Sequence, residues 1–363
     1  MIVSVVYFTL YFLLFLSLLA LLILNRAPYS PRLHHQPHIS ILIAARNEEH
    51  TILRCLQAIS ALDYPSGKME VLIGDDASTD ATRAVVEAYI QDRPNFMCFP
   101  ISQNSGGNRG KANVLAQLAR QATSGYFFFT DADIAVPPQW VRGMLSEMQG
   151  QVGVVTGITS IAGESLWARL QAMDWLYALG LMQVISDLEL PVSTIGNNML
   201  LRREAYEAVG GFEGIPFSIT EDVAIFNSII KKGWGFRNIF DRTVLAYSTP
   251  AESIPAYLQQ RRRWMSGSMH LPLYMAVIFI LHAAYYPVLL PFFAYTSVGV
   301  ALGVFIGKLL LQSLYVYICL RRVGQSAPWW LYIAFEIYLL VSSVVLIVYF
   351  FLPLNITWKG RDY

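Results

Sequence analysis

An α/β domain on a mostly parallel sheet, flanked by membrane-spanning helices, is the fold class that this 363-residue sequence predicts. Three observations lead there. Charged residues make up 14% of the chain, against about 25% in soluble domains. They are also unevenly spread. Residues 33–264 hold 42 of the 51, residues 1–25 hold none, and residues 265–352 hold only Lys308, Arg321, Arg322 and Glu336. Between residues 39 and 157, short apolar runs alternate with stretches of helical spacing, the pattern of a parallel sheet with helices on both faces.

The elements follow in order. Residues 1–24 are uncharged and would span about 36 Å as a helix, enough to cross a bilayer. They lack the basic start and short apolar core of a signal peptide, so an uncleaved anchor is expected. Arg26 and Arg32 follow it, which by the positive-inside rule puts the middle of the chain in the cytoplasm. Residues 39–45 read as a buried strand, 47–62 as a helix, and 69–74 as a second strand ending at Asp75-Asp76. Ser78 or Asp80 then caps a helix reaching about Ile90. A third strand covers 96–101. The turn Gly106-Gly107-Asn108-Arg109-Gly110 leads into a helix from Lys111. A fourth strand, 126–130, ends at Asp131-Ala132-Asp133, Pro137 starts another helix, and 152–157 is a fifth strand. Ligands bind such sheets at the carboxyl ends of strands, where both acidic clusters fall.

Residues 271–320 are predominantly apolar, with Lys308 their one charge, and are broken by Pro272, Pro287 and Pro291. They suit two spans, or an interfacial helix and a span. Residues 329–352 supply another. Three such spans put Lys359 and Arg361 outside, and two keep them inside. Lys308 and Glu336 either pair across helices or snorkel to an interface. Residues 164–190 mix apolar and charged positions at helical spacing. They either pack on the domain or lie on the membrane and guide a lipid.

Composition excludes several classes. A net charge of +1 gives no basic field for nucleic acid. Three cysteines, Cys55, Cys98 and Cys319, form no CxxC pair, which argues against a disulfide framework or zinc site. His34, His35 and His38 sit in a proline-bearing linker and read as solvated. Asn355-Ile-Thr357 reads as a chance sequon.

Four motifs carry chemistry. Asp131-x-Asp133 offers two hard oxygen ligands in one turn, fit for Mg2+ or Mn2+ bridging to a diphosphate; a plain acidic turn is the competing reading. Ala135 and the place at the fourth strand argue against a phosphatase DxDx[TV] loop. Asp75 and Asp76 can accept hydrogen bonds from a base or ribose. Lys111 misses the P-loop pattern at Ser105 and Ala112, so it is either a phosphate-facing point charge or a surface lysine. Thr220-Glu221-Asp222 opens an amphipathic helix. It suits capping and also supplies an acidic group placed to act as a general base. Gln260-Arg-Arg-Arg263-Trp264 fits an interfacial belt, or a diphosphate contact from Arg with Trp stacking on a sugar.

These motifs, in this order and between spans, resemble the membrane-bound family 2 glycosyltransferases, which include cellulose, chitin and hyaluronan synthases and ceramide glucosyltransferase. The resemblance covers roughly residues 38–268. It implies a GT-A fold and an inverting single displacement from a nucleotide-diphosphate sugar, usually a UDP-sugar. It implies Asp76 or Asp75 at the nucleoside; Lys111 and Glu221 are expected, on the residues themselves, as further substrate-binding groups. Asp131 and Asp133 would lie at the metal and diphosphate, with Asp133 the closer ligand, and Asp222 would be the base. Gln260, Arg263 and Trp264 would line the acceptor and diphosphate end, and Ile195–Asn198 would shape the acceptor site. The organisation expected is an anchor (1–25), linker (26–37), GT-A domain (38–268), transmembrane helices (269–355) and tail (356–363). That describes a multi-pass membrane protein with a cytoplasmic catalytic domain. The few spans, and a tail similar to that of carotenoid-type enzymes, place the chain with the small members that glycosylate a lipid. A processive polysaccharide synthase is the first rival, and a non-catalytic subunit retaining the fold the second. Sugar, acceptor hydroxyl and oligomeric state are not set by the sequence.

Overall fold

The structure, a computed structural model, describes residues 1–24, 35–104, 107–268, 271–355, 357–359 and 361–362. Arg26, Pro31, Arg32, His34, Ser105 and Gly106 lie outside the described residues, as do tail residues Ile356, Gly360 and Tyr363.

After helix α1 (Ile2–Leu24) the chain lays down β1 (Ile39–Ala45), α2 (Ile52–Ser60), β2 (Met69–Asp75), α3 (Thr82–Ile90), β3 (Phe96–Pro100), α4 (Gly110–Gln121), β4 (Tyr126–Asp131), α5 (Trp140–Glu147) and β5 (Val152–Thr156). β1 is flanked by β2 and β4 in a parallel register. Successive side chains of a strand point to opposite faces, and β1 buries both. Ile41 and Ile43 join Val71, Ile73, Phe128 and Trp140 on one face, while Leu42 joins Leu72, Phe127, Phe129 and α4 on the other.

Two local expectations change. The helix expected over 47–62 begins only at Ile52, because Asn47 adopts a positive φ of 52° and residues 46–51 bend and turn before it. The backbone N–H groups of that turn donate to Ser78 Oγ (3.1 Å), Thr82 Oγ1 (2.7 Å) and Asp80 Oδ2 (3.1 Å). Ser78 is therefore spent on the neighbouring loop. Asp80 divides its carboxylate between that loop and the Thr82 N–H (3.0 Å). The helix expected from Pro137 starts at Trp140.

The second half adds β6 (Ile158–Ile161), α6 (Leu166–Ser186), β7 (Asn198–Arg202), α7 (Arg203–Ala208), α8 (Glu221–Lys231), β8 (Gly235–Asn238) and β9 (Leu245–Ser248). Sheet order is β3-β2-β1-β4-β7-β5-β8, and β7 runs antiparallel between β4 and β5. The sheet is thus mostly parallel, with one reversed strand. Asn198 pins this junction. It accepts from Trp140 Nε1 (2.8 Å) and donates to the carbonyls of Ile158 (2.7 Å) and Val244 (2.9 Å).

The C-terminal part comprises α9 (Ile254–Ser268), α10 (Leu273–Ala283), α11 (Tyr285–Phe292), α12 (Val298–Arg322), α13 (Trp329–Phe351), and a hairpin of β10 (Thr357–Trp358) and β11 (Arg361–Asp362). By length and composition, α1, the joined α10–α11, α12 and α13 could each cross a membrane. α6 packs on β6 on one side and on α1, α12 and α13 on the other, so it is a layer between the sheet and the apolar helices. Lys308 and Glu336 do pair, both buried, and Glu336 also accepts from Gln312 (2.7 Å) and Tyr286. Both flanks of α13 touch the α/β domain. Gln325, just before it, donates to Tyr247 of β9 (3.1 Å), and the carbonyl of Leu352, just after it, accepts from Arg262 of α9 (2.7 Å).

Candidate active site

β2 and β4 end on carboxylates at the same edge of the sheet. Asp75 and Asp76 are buried there. Asp75 Oδ1 accepts from the Ser78 N–H (3.3 Å), and the Asp76 N–H donates to the Ala45 carbonyl (2.8 Å). Burial pushes the Asp76 carboxyl up, against the opposing pull of Arg361, which grips both its oxygens at 2.5 and 3.1 Å.

At the end of β4, Asp131 Oδ1 lies 2.6 Å from the Lys111 ammonium. Asp133 Oδ2 accepts from Ser248 Oγ (2.6 Å), and its backbone carbonyl from Arg54. Burial first, and then the neighbouring Asp131 charge, push the Asp133 carboxyl up to about 6. A divalent cation would offset the repulsion by which Asp131 raises Asp133, and carboxylate oxygens suit Mg2+ or Mn2+. The residues therefore fit the metal that the sequence implied. Among the described residues no third His, Cys, Asp or Glu completes a ligand group, so substrate and water oxygens would supply the remaining positions.

Lys111 is a partly buried hub rather than a surface lysine. Its ammonium bridges Asp131 and Glu221 Oε1 (3.0 Å). Burial alone would lower its pKa, but Asp131, Glu221 and Asp222 hold it above the ordinary lysine value. The bridge ties the β4 turn to the start of α8. Thr220 holds the N-cap position there without a side-chain cap, and its two acidic successors face the site. Asp222 Oδ2 accepts from the Gly196 N–H (2.7 Å) and Oδ1 from its own Val223 N–H (2.9 Å). Only glycine fits at 196, since a Cβ there would stand 2.8 Å from that of Asp222. Burial first, then Glu221, raise the Asp222 pKa, while Lys111 and the two N–H groups oppose.

α9 passes close to this corner, because a Cβ at Gly267 would meet the Thr220 side chain at 2.7 Å. Arg263 lines a cleft with Arg109, Lys111, Phe217, Ile219 and Glu221. Trp264 does not line that cleft. It packs edge-on against Trp175 of α6 (4.9 Å), under the Arg261 guanidinium, which is paired with Asp174 at 2.5 Å. Gln260 is half-buried on α9 and is also absent from the cleft lining. Of the 195–198 stretch, Gly196 meets Asp222, Asn197 accepts from Thr159 (2.9 Å), and Asn198 is committed to the core. Sequence reasoning missed Arg109, Ser248 and the Arg361 contact. Only Arg109, inside the glycine-rich turn, carried a local signal.

The family model described as Glycosyl transferase family 21 matches residues 3–363. The chain belongs to this family. Among curated proteins it is similar to beta-monoglucosyldiacylglycerol synthase of Synechocystis sp., with 26% identity over 243 residues, 64% of this chain and 48% of that one. It is also similar to poly-beta-1,6-N-acetyl-D-glucosamine synthase of Staphylococcus aureus, with 28% identity over 233 residues, 63% of this chain and 54% of that one. The chain thus spans about half the length of the curated relatives it matches. Among solved structures it is similar to mannosyltransferase PcManGT from Pyrobaculum calidifontis, in complex with GDP-Man and Mn2+. The TM-score is 0.58 at 19% identity, over 88% of this chain and 96% of that one. That likeness is one of fold, and it agrees with the GT-A architecture expected from the sequence.

Proposed function

We propose that this family 21 member is an inverting glycosyltransferase that moves a hexose from a nucleotide-diphosphate sugar, a UDP-sugar on the sequence reading, to a hydroxyl of a membrane lipid. The observation that carries the proposal is the Asp131–Lys111–Glu221–Asp222 chain, which sets one desolvated carboxylate opposite a strand-end acidic pair. Each Asp222 oxygen accepts one backbone N–H, and a carboxylate has further lone pairs to take a proton. Asp222 takes the acceptor hydroxyl proton as the acceptor oxygen bonds to the anomeric carbon. The bond from that carbon to the donor phosphate oxygen breaks on the opposite face, so configuration inverts and no enzyme nucleophile is needed. Asp75 and Asp76 hold the nucleoside, Lys111 fixes Asp131 and Glu221, and Arg263 faces the diphosphate, while Trp264, packed on Trp175, holds α9 against α6 behind it. Asp131 and Asp133 would hold Mg2+ or Mn2+, which supplies charge neutralisation at the leaving diphosphate.

The lipid acceptor is supported by the similarity to a glucosyldiacylglycerol synthase and by the polar groups of the apolar helices. Lys308, Gln312 and Tyr286 all donate to the single carboxylate of Glu336, so these polar groups are spent on one buried acid, which disfavours a processive synthase. Membranes containing the chain, given Mn2+ and a panel of labelled UDP- and GDP-sugars, test this. Label in the organic phase is expected, and label in insoluble polymer overturns the acceptor assignment.

On this reading α13 does not cross the bilayer. Its flanks touch Tyr247 and Arg262, both on the catalytic side, whereas a 23-residue helix standing across would separate its ends by about 34 Å. α1, α10–α11 and α12 then cross, and α13 lies along the membrane face with the tail inside. Single cysteines at Gln325→Cys and Asn355→Cys are expected to react with a membrane-impermeant thiol reagent from the catalytic side. Ala294→Cys, between α11 and α12, is expected to react from the other. Opposite-side labelling of 325 and 355 would show that α13 crosses.

A further inference from the structure

Arg261, Arg262 and Arg263 follow one another on α9, and each goes to a different part of the molecule. Successive residues of a helix are turned by about 100°, so three in a row cannot share one face. Arg261 meets Asp174 of α6 at 2.5 Å, with the two side chains 14% and 15% exposed. Arg262 donates to the Leu352 carbonyl just past α13 (2.7 Å) and lies over the Tyr349 ring (5.5 Å). Arg263 lines the cleft. A basic run beside apolar helices ordinarily serves lipid headgroups, but here two of the three are spent inside the protein. The rotation of α9 that sends Arg263 to the cleft is the one at which Arg261 finds Asp174.

One face of α6 receives this helix. Trp167, Gln171, Asp174 and Trp175 fall at i, i+4, i+7 and i+8, a single helical stripe. Trp167 Nε1 donates to the Ala251 carbonyl (2.9 Å) and Gln171 Oε1 accepts from the Ala251 N–H (3.2 Å), which fixes the entry to α9. Trp167 packs edge-on against Tyr257 (5.0 Å), and Trp175 against Trp264 (4.9 Å). Asp174, the one charge of the four, sits between these two contacts. It also accepts from the Tyr338 hydroxyl of α13 (3.3 Å), which bonds that of Tyr257 (2.8 Å). The Arg261 guanidinium lies over the rings of Tyr257 (5.1 Å) and Trp264 (4.7 Å). A planar fork gripped by a carboxylate and laid on two rings has a defined orientation, which a lysine would not share. We propose that Asp174 is a positioning residue of the transfer site, which through Arg261 sets the rotation of α9 and so holds Arg263 in the cleft and Gly267 against Thr220. This rests on the role of Arg263 given above. Asp174 itself does not line the cleft. Its loss acts at a distance, and a misplacement of about 1 Å can cost about 100-fold in rate.

The test uses the full chain in membranes. Asp174→Asn is expected to lower kcat/KM for the donor sugar about tenfold or more. Breaking a buried pair on one side also costs stability, whereas replacing both partners by apolar residues often does not. Asp174→Leu combined with Arg261→Met is therefore expected to melt near the native temperature while kcat/KM stays low. Full transfer in that paired variant overturns the proposal, because packing alone then suffices. In an Arg263→Ala background, Asp174→Asn is expected to lower kcat/KM by no more than about twofold further, since effects that pass through one shared group do not add. Losses that multiply overturn the proposal, because Asp174 then acts otherwise than through Arg263. A cysteine pair, Thr220→Cys with Gly267→Cys, reads the placement of α9 without the reaction. A Cβ at 267 stands 3.1 Å from that of Thr220, near the separation that a disulfide spans. Oxidative cross-linking of the pair is expected to slow several-fold when Asp174→Asn is added, and an unchanged rate overturns the proposal. Native membranes that transfer no sugar would instead remove the function proposed above, and the cysteine pair would then decide the role of Asp174 by itself.

Discussion

Replacing Asp222 by Asn is expected to lower sugar transfer by about 10²–10⁴-fold, the usual worth of a positioned general base, with donor binding still measurable. The change keeps shape but removes the proton acceptor. It also removes one of two acceptor oxygens that the Gly196 and Val223 N–H groups now share, so one donor loses its partner at a cost of about 1 kcal/mol. The pH profile gives a second readout. Burial and Glu221 raise the Asp222 pKa, and a base works only when deprotonated. The acid limb of the native rate is therefore expected above the ordinary carboxylate range, with activity falling as pH drops through it. In Asp222→Asn any residual rate is expected to lose that limb. The sign for stability runs the other way. A carboxyl with a raised folded pKa holds its proton more tightly when folded, so its contribution is most favourable at low pH and declines as pH rises through the shifted value. Full transfer activity in the variant would remove Asp222 as the base.

Much of this site was legible because its parts are local. Ile39–Ala45 and Tyr126–Asp131 are mostly apolar runs, the second ending in acid, which is how a doubly covered parallel strand reads. The apolar ends of the chain announce themselves by the absence of charge. Other features depend on partners that no local window contains. β7 is a five-residue run whose antiparallel place is set by pairing with β4 and β5, not by its own pattern. Ser78 and Asp80 have good capping chemistry, but the Asn47–Glu49 turn competes for it. Lys111 and Glu221, 110 residues apart, share an ion pair that neither motif implies. Arg361 and Asp76 are separated by 285 positions, and only the return of α13 to the sheet edge joins them.

Chelation of divalent metal is expected to reduce turnover to background, and added Mn2+ or Mg2+ to restore it. The argument is one of charge. Lys111 is the cation paired with the carboxylates of the β4 turn, Arg54 being spent on the Asp133 and Tyr247 carbonyls, and in a metal-free enzyme it would be the group to offset a leaving diphosphate. It is already committed, at 2.6 Å from Asp131 and 3.0 Å from Glu221, with Asp222 adding to the negative field around it. A lysine among three carboxylates carries no surplus positive charge to the phosphate. Asp133 adds a fourth carboxylate, held by the Ser248 hydroxyl and by no ion pair among the described residues. Bringing a diphosphate to that edge without a further cation would add like charge to like charge in a partly buried site, where screening is weak. Asp133→Ala should separate the ligand role from general damage. It is expected to raise the Mn2+ concentration for half-maximal turnover by about tenfold or more, in line with the loss of a charged ligand, while the melting temperature changes little or rises, since a desolvated carboxylate is removed. Turnover that survives a strong chelator unchanged would instead show that Lys111 and the α9 arginines suffice, and Asp131 and Asp133 would then serve only to position Lys111 and the β4 turn.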